Sequence, residues 1–378
     1  MPKDTYCAQP DYNIHIEGDS KNFCCVARGD HSVTGTIAEA FDNFQSVRDA
    51  LSNGQQHPAC SGCWKTERNG YKSARHAYNS QHRDLGHLDQ APTVRSIQWS
   101  FSNTCNFACR SCSLDYSTGW LSETRRLAGE GNSDAIELMQ RHTKTQWDQQ
   151  EWQDIKQYLH TVDHLELFGG EPLLNTRLIP TLNSVDDSIA SGINLVLTTN
   201  GSQAPRAELI DCLSRFKSIR ITFSLDAVTD ESFAYVRTGS WQQVSQTVQQ
   251  WKDVVGGDDK FVLWANPTFS VLNIWDSDRI LKHLDKWFGW DHVGWNWVSR
   301  PTCYDAVNMP QHIKDEIMLK STYWRSRKLM DQMCGESDDS SQWQEFLRRQ
   351  TWLDQSRDQP MKKFMPELYN LIYTSNKD

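Results

Sequence analysis

From residue 95 onward, short apolar runs recur between longer segments of mixed polarity. The runs are RSIQWSFS (95–102), HLELFGG (164–170), INLVLTTNG (193–201), SIRITFSLD (218–226), FVLWANP (261–267) and HVGWNWVS (292–299). Each closes on a polar or glycine-containing turn, and the gaps between them are mostly long enough for a crossover helix. Strand alternating with helix predicts parallel βα units, and six of them suit a partial (β/α)6 barrel of the TIM type. In WQQVSQTVQQWKDVV, the residues Trp241, Val244, Val248, Trp251 and Val255 fall on one helical face, which predicts a buried face. Trp295 and Trp297 alternate as in a strand. The fold class is therefore α/β, with the barrel over 90–300. Residues 1–85 read differently: they carry cysteines, glycines and short elements, and predict a small metal-binding module. Residues 301–378 predict a mostly helical extension, with HIKDEIMLKSTYWRSRKLMDQM (312–333) as its amphipathic segment.

Composition narrows the partners. Lys plus Arg total 39 against 48 Asp plus Glu, a net charge of -9 with no run of one sign, which argues against nucleic acid. No stretch reaches the ~18 to 20 apolar residues of a membrane span, and MPKDTYCAQP lacks the charged start and apolar middle of a signal peptide. A cytoplasmic protein with no membrane partner is the expectation. In a reducing compartment the 11 cysteines are free thiols or metal ligands.

Three of those cysteines stand in NTCNFACRSC (103–112), directly after the first barrel strand. In an α/β barrel the reactive groups gather at the carboxyl ends of the strands. Cys105, Cys109 and Cys112 are too many for one disulfide and one short of a closed zinc site. An iron-sulfur cluster held by three thiolates leaves one iron open to a chelating ligand.

This CxxxCxxC spacing resembles the signature of the radical S-adenosylmethionine (radical SAM) enzymes. The resemblance implies a 4Fe-4S cluster on Cys105, Cys109 and Cys112 whose fourth iron chelates S-adenosylmethionine. An electron from the cluster would then release a 5'-deoxyadenosyl radical. FGGEP (168–172) is similar to the family's GGEP motif and assigns Gly169, Gly170 and Glu171 to the methionine amino group. Ser224 and Asp226, two apart and so on one strand face, resemble the family's ribose contact. Asn200 in TTNG and Arg237 in YVRTGSW complete the cofactor-binding set, Arg237 as partner of the methionine carboxylate. Asn266 is a weaker candidate of the same kind. The chain departs from the family at Ser111, where an aromatic residue usually covers the adenine, and Phe107 lies in the same loop as a substitute.

The amino-terminal residues hold a second constellation. Cys7, Cys24, Cys60 and Cys63 can close a zinc site or a second iron-sulfur cluster, and spacing alone does not choose. The stretch resembles the SPASM or twitch extensions of radical SAM enzymes, with Gly18 and Glu67 keeping the pattern. Its place before the barrel is similar to twitch variants carried by bacteriophages. That resemblance implies a second 4Fe-4S cluster, with Cys24 favoured over its neighbour Cys25. It also implies a peptide or protein side chain as substrate, and flavodoxin or ferredoxin as electron donor. Cys212 and Cys334 read as buried, inert thiols. Cys303, Tyr304 and Asp305, after the sixth strand, are candidates to donate a hydrogen atom or remove a proton. Two other readings stand beside this one: a zinc-stabilised interaction protein without catalysis, and a radical SAM enzyme that modifies nucleic acid.

Overall fold

The structure is a computed structural model and describes residues 4–27, 31–68, 70–141, 148–298, 300–334 and 340–374. The chain divides into two compact units, one of Met1–Ser102, Thr145–Leu197 and Ala207–Ile219, the other of Asn103–Lys144, Thr198–Arg206 and Arg220–Asp378. Its strands are β1 (Asn13–Glu17), β2 (Ser20–Asn22), β3 (Ser96–Ser100), β4 (His164–Phe168), β5 (Asn194–Thr199), β6 (Ser218–Phe223), β7 (Phe261–Ala265), β8 (Thr268–Phe269) and β9 (Asn296–Trp297). The order in the main sheet is β2-β1-β3-β4-β5-β6-β7. From β3 to β7 each strand neighbours the next in sequence, as consecutive βα units do.

In the first unit β3, β4 and β5 are parallel and in step, with Ser96 opposite His164 and His164 opposite Asn194. Their inward residues Ile97, Leu165, Leu195 and Leu197 are almost wholly buried, and Trp99 stacks on Trp152 at 5.8 Å. The amino-terminal residues join this sheet. β1 pairs with β3 in parallel, and β2 folds back on β1 as a hairpin through Gly18, whose φ of 58° lies where glycine is favoured.

The second unit corrects the sixth strand. HVGWNWVS yields only the two-residue β9, which pairs with β8 instead of β7, and Val293 makes a single bridge to Ala265. Pro267 has no N–H to give a ladder, so β7 stops at Ala265. A Cβ on Gly294 would stand 3.0 Å from Asn266 Oδ1 and 3.1 Å from Trp264 Nε1, so the chain at this point passes close to β7 without a side chain to pack there. The six-stranded expectation gives way to seven strands, two of them amino-terminal. Helix Trp241–Val255 forms where the period predicts it, with Val244, Val248, Trp251 and Val255 buried and Trp241 half-buried against Trp287. The 312–333 segment is two helices, Gln311–Lys320 and Trp324–Cys334. Between them Asp278 accepts from Ser321 Oγ and from the Thr322 and Tyr323 amides. No helix among the described residues is long and apolar enough to cross a membrane.

Candidate functional site

The three-cysteine loop belongs to the second unit and is tied down by hydroxyls and backbone. The Cys105 amide donates to Thr118 Oγ1 at 3.0 Å, and that hydroxyl donates back to the Cys105 carbonyl. The Ala108 amide donates to Thr238 Oγ1 at 2.8 Å and the Arg110 amide to the Val236 carbonyl at 2.9 Å. The loop therefore rests on the carboxyl end of helix Asp230–Arg237, which Thr238 closes with a φ of 65°. Phe107 is buried, edge-on to Phe233 at 6.2 Å. A Cβ on Gly239 would meet its ring at 2.5 Å. The ring is thus a core element of the loop.

The three thiols lie within electrostatic reach of one another. All three residues are half-buried, and burial pushes Cys109 up to about 11 and Cys112 up to about 12. For Cys109 the Arg237 guanidinium works in the opposite direction, while for Cys112 the charge of Cys109 adds to the rise. Arg237 is itself buried, which favours loss of its proton, but Cys109 and Asp226 outweigh that and hold it charged. Its Nη1 donates to Asp226 Oδ2 at 2.6 Å. Asp226 Oδ1 accepts from the Thr268 amide at 2.8 Å. Both carboxylate oxygens thus have protein partners, and because β6 ends at Phe223, Ser224 and Asp226 follow the strand and do not share one of its faces as their spacing suggests. Ser224 is half-buried and its amide donates to the Thr199 carbonyl.

Asn200 makes an Asx turn with the Ser202 amide, and its Nδ2 reaches both Asn106 Oδ1 at 2.9 Å and Cys105 Sγ at 3.7 Å. Asn200 therefore stands against a cysteine of the loop. Asn106, Thr118 and Thr238 escape sequence reasoning. Asn106 alone has a visible signal, its place between two of the cysteines.

The donor set fits an iron-sulfur cluster with an anionic ligand beside it. Three thiols lie within electrostatic reach of one another, Asn200 directs an N–H at one of them, and the buried Arg237 Nε has no hydrogen-bond partner among the described residues. Such an orphaned guanidinium nitrogen is costly unless an acceptor completes it. Among the described residues no group of three or more His, Cys, Asp or Glu is arranged around a single metal ion. A cluster differs in that each thiolate binds its own iron.

The first unit carries the FGGEP turn. Gly169 has a φ of 84°, and a Cβ there would fall 2.2 Å from Ser100 Oγ, so only glycine fits. Gly170 follows with a φ of 52°. Glu171 is fully buried and accepts from the Leu173 amide at 3.1 Å, capping the short turn Pro172–Leu174.

The same unit brings Cys7, Cys24, Cys60 and Cys63 to one cavity, with Phe23, Arg75 and Tyr78. Cys60 and Cys63 reach it together because they stand three apart across a short turn and helix Ser61–Arg68. Cys25 does not line it, and its Sγ instead faces Tyr78 Oη at 3.1 Å. Burial pushes the Cys7 thiol up and Cys60 up to about 12, and Arg75 opposes both. Glu67 grips that arginine through two bonds of 3.0 and 2.7 Å.

Cys212 is buried against the Ile179 carbonyl. Cys303 is buried, Tyr304 is fully enclosed and accepts from Gln350 Nε2 at 2.7 Å, and Asp305 caps the Val307 amide. The side chain of Cys334 lies outside the described residues.

Residues 99–262, from β3 to β7, match the family model of the radical SAM superfamily. This segment is a radical SAM domain. The cysteine loop, FGGEP, Asn200, Asp226 and Arg237 all fall inside it. GTP 3',8-cyclase of Rhizobium etli is 37% identical over 91 residues, 23% of this chain and 25% of that protein. The enzyme of the same name from Brucella ovis is 36% identical over 92 residues. These matches thus span about a quarter of the curated relatives' length. Among solved structures, Streptococcus suis SuiB bound to S-adenosylmethionine is 15% identical, with a TM-score of 0.40, over 71% of this chain and 60% of SuiB.

Proposed function

We propose that the chain is an enzyme that cleaves S-adenosylmethionine reductively at Cys105, Cys109 and Cys112 and uses the resulting radical to abstract hydrogen from a peptide or protein side chain. The observation that carries this reading is the fixed CxxxCxxC loop after β3, inside the segment that matches the superfamily. When bound, a 4Fe-4S cluster supplies the electron that splits S-adenosylmethionine to the 5'-deoxyadenosyl radical. The chain's own residues bind and orient. Arg237, held charged beside Cys109, offers its free Nε to the methionine carboxylate. Gly169, Gly170 and Glu171 suit the methionine ammonium, and Ser224 with Asp226 the ribose. Asn200 directs a hydrogen bond at Cys105, an interaction that tunes a cluster ligand.

In the amino-terminal residues, Cys7, Cys24, Cys60 and Cys63 would hold a second 4Fe-4S cluster in a twitch-like module over 1–85. Their shared cavity and the cationic Arg75 beside it support that reading, and the exclusion of Cys25 from the lining favours Cys24. Anionic thiolates would gain from the guanidinium. Flavodoxin or ferredoxin is the class of electron donor the reading requires, in the cytoplasm. Anaerobic reconstitution with iron and sulfide, followed by assay with dithionite and S-adenosylmethionine, tests the core of it. Formation of 5'-deoxyadenosine is expected. Zinc as the sole bound metal would favour the non-catalytic interaction protein instead.

A further inference from the structure

The loop that carries the three cysteines is held by a helix far away in sequence. Within the second unit, helix Ser340–Arg357 reaches the loop through two guanidiniums. Arg349 Nη2 donates to the Cys112 carbonyl at 3.1 Å across 237 residues, and Arg357 Nη1 donates to the Ala108 carbonyl at 2.9 Å across 249. The loop answers with Arg110, which stands between Cys109 and Cys112 and is fully buried. Its Nη1 donates to Asp354 Oδ1 at 2.8 Å and to Gln350 Oε1 at 3.1 Å. Its guanidinium lies 3.5 Å from the centre of the Tyr235 ring.

The two incoming arginines are not equivalent. Arg357 is matched by Glu123, whose carboxylate it meets at 2.7 Å, so its charge is neutralised locally. It also lies over Trp120, whose Nε1 donates to the Cys109 carbonyl. Arg357 is thus an anchor. Arg349 instead meets a backbone carbonyl and the rings of Trp120 and Tyr304, and its buried Nε has no hydrogen-bond partner among the described residues. A cation in a protein-enclosed setting acts over a longer range than one in water.

We infer that Arg349 is a positioning residue of the cysteine loop, fixing the backbone of its last ligand, and that its charge raises the reduction potential of a cluster held there. The inference rests on the functional reading above. Reduction adds one negative charge to the cluster, and a neighbouring cation stabilises that form more than the oxidised one. The carbonyl contact gives the charge a fixed place.

The test uses the reconstituted full-length protein and three variants, Arg349→Gln, Arg349→Lys and Arg349→Ala. Iron content and the potential of the loop cluster, followed by electron paramagnetic resonance during a dithionite titration, are the two readouts. Arg349→Gln removes the charge and keeps a donor. It should retain the parent's iron, with the reduced-to-oxidised ratio at a fixed poise lower by about threefold to tenfold, where tenfold is about 59 mV for one electron. Arg349→Lys should stay near the parent, and Arg349→Ala should also lose iron faster to a chelator. A parent-like potential in Arg349→Gln, or an equal fall in Arg349→Lys, overturns the inference while leaving the functional reading intact. A parent protein that takes up no cluster at all overturns that reading, and this inference with it.

Discussion

Asp226 and Arg237 have a mutual task that their motifs do not show. Each was assigned a contact with S-adenosylmethionine, and they meet each other in a buried pair at 2.6 Å. The carboxylate is then the neutralising partner of a charge that could not otherwise stay buried beside Cys109. Asp226→Asn should destabilise the apoprotein by about 3 to 5 kcal/mol, because it leaves Arg237 charged and uncompensated. Urea unfolding measures this, and a loss below about 1 kcal/mol would place the carboxylate's importance elsewhere. The cysteine triad and FGGEP are legible in the sequence because their chemistry needs contiguous residues with fixed spacing. The Asp226 and Arg237 pair is not, since its partners come from the end of β6 and from the following helix. Arg349 is still less legible, at 237 residues from the carbonyl it meets. Cys303, Tyr304 and Asp305 were singled out by their position after a sixth strand; in the structure Cys303 is buried, and Tyr304 and Asp305 each accept a hydrogen bond.

At the scale of elements, periodicity located β3 to β7 and the Trp241–Val255 helix, because alternation and the 3.6-residue repeat report burial directly. It failed at β9, where apolar and aromatic residues alternate as in a strand but Pro267 and Gly294 deny the ladder its continuation. It also missed β1 as a sheet member, since Asn13–Glu17 carries only two isoleucines among polar residues and stands outside the run of βα units. Helix Ala74–Asp84 carries a pH dependence that only the structure shows. His82 is buried, with its Nδ1 2.9 Å from His87 Nδ1, and His87 Nε2 lies 2.6 Å from Asp163. Burial, then the charges of His87 and His164, push His82 down to about 3 from 6.5. Between those values the unfolded chain binds a proton that the folded chain does not. The contribution of neutral His82 to stability is therefore complete above pH 6.5 and declines as pH falls towards 3, by up to about 1.4 kcal/mol per unit. Replacing His82 by Gln should flatten the stability profile between pH 6.5 and 5. An unchanged slope would show that other groups set the acid response.

For the whole molecule, two cysteine sets in separate stretches of one chain predict two separable metal contents. With both clusters the protein should hold about eight irons, and removal of Cys60 and Cys63 together should leave about four. That variant should still form 5'-deoxyadenosine in the absence of substrate. Iron that stays at the parent level after the double change would mean that the amino-terminal set binds none. The overall class was readable because the cysteines, the glycine-rich turn and the strand ends come in a fixed order along the chain. The substrate was not, because nothing in a local motif encodes the surfaces that would receive a peptide. The most direct measurement compares 5'-deoxyadenosine formed per mole of reconstituted protein by the parent, Cys109→Ala and Cys212→Ala. Cys212 is a buried thiol outside the loop and serves as the control. The account predicts product from the parent and from Cys212→Ala, and none from Cys109→Ala. Parent-level product from Cys109→Ala would contradict it.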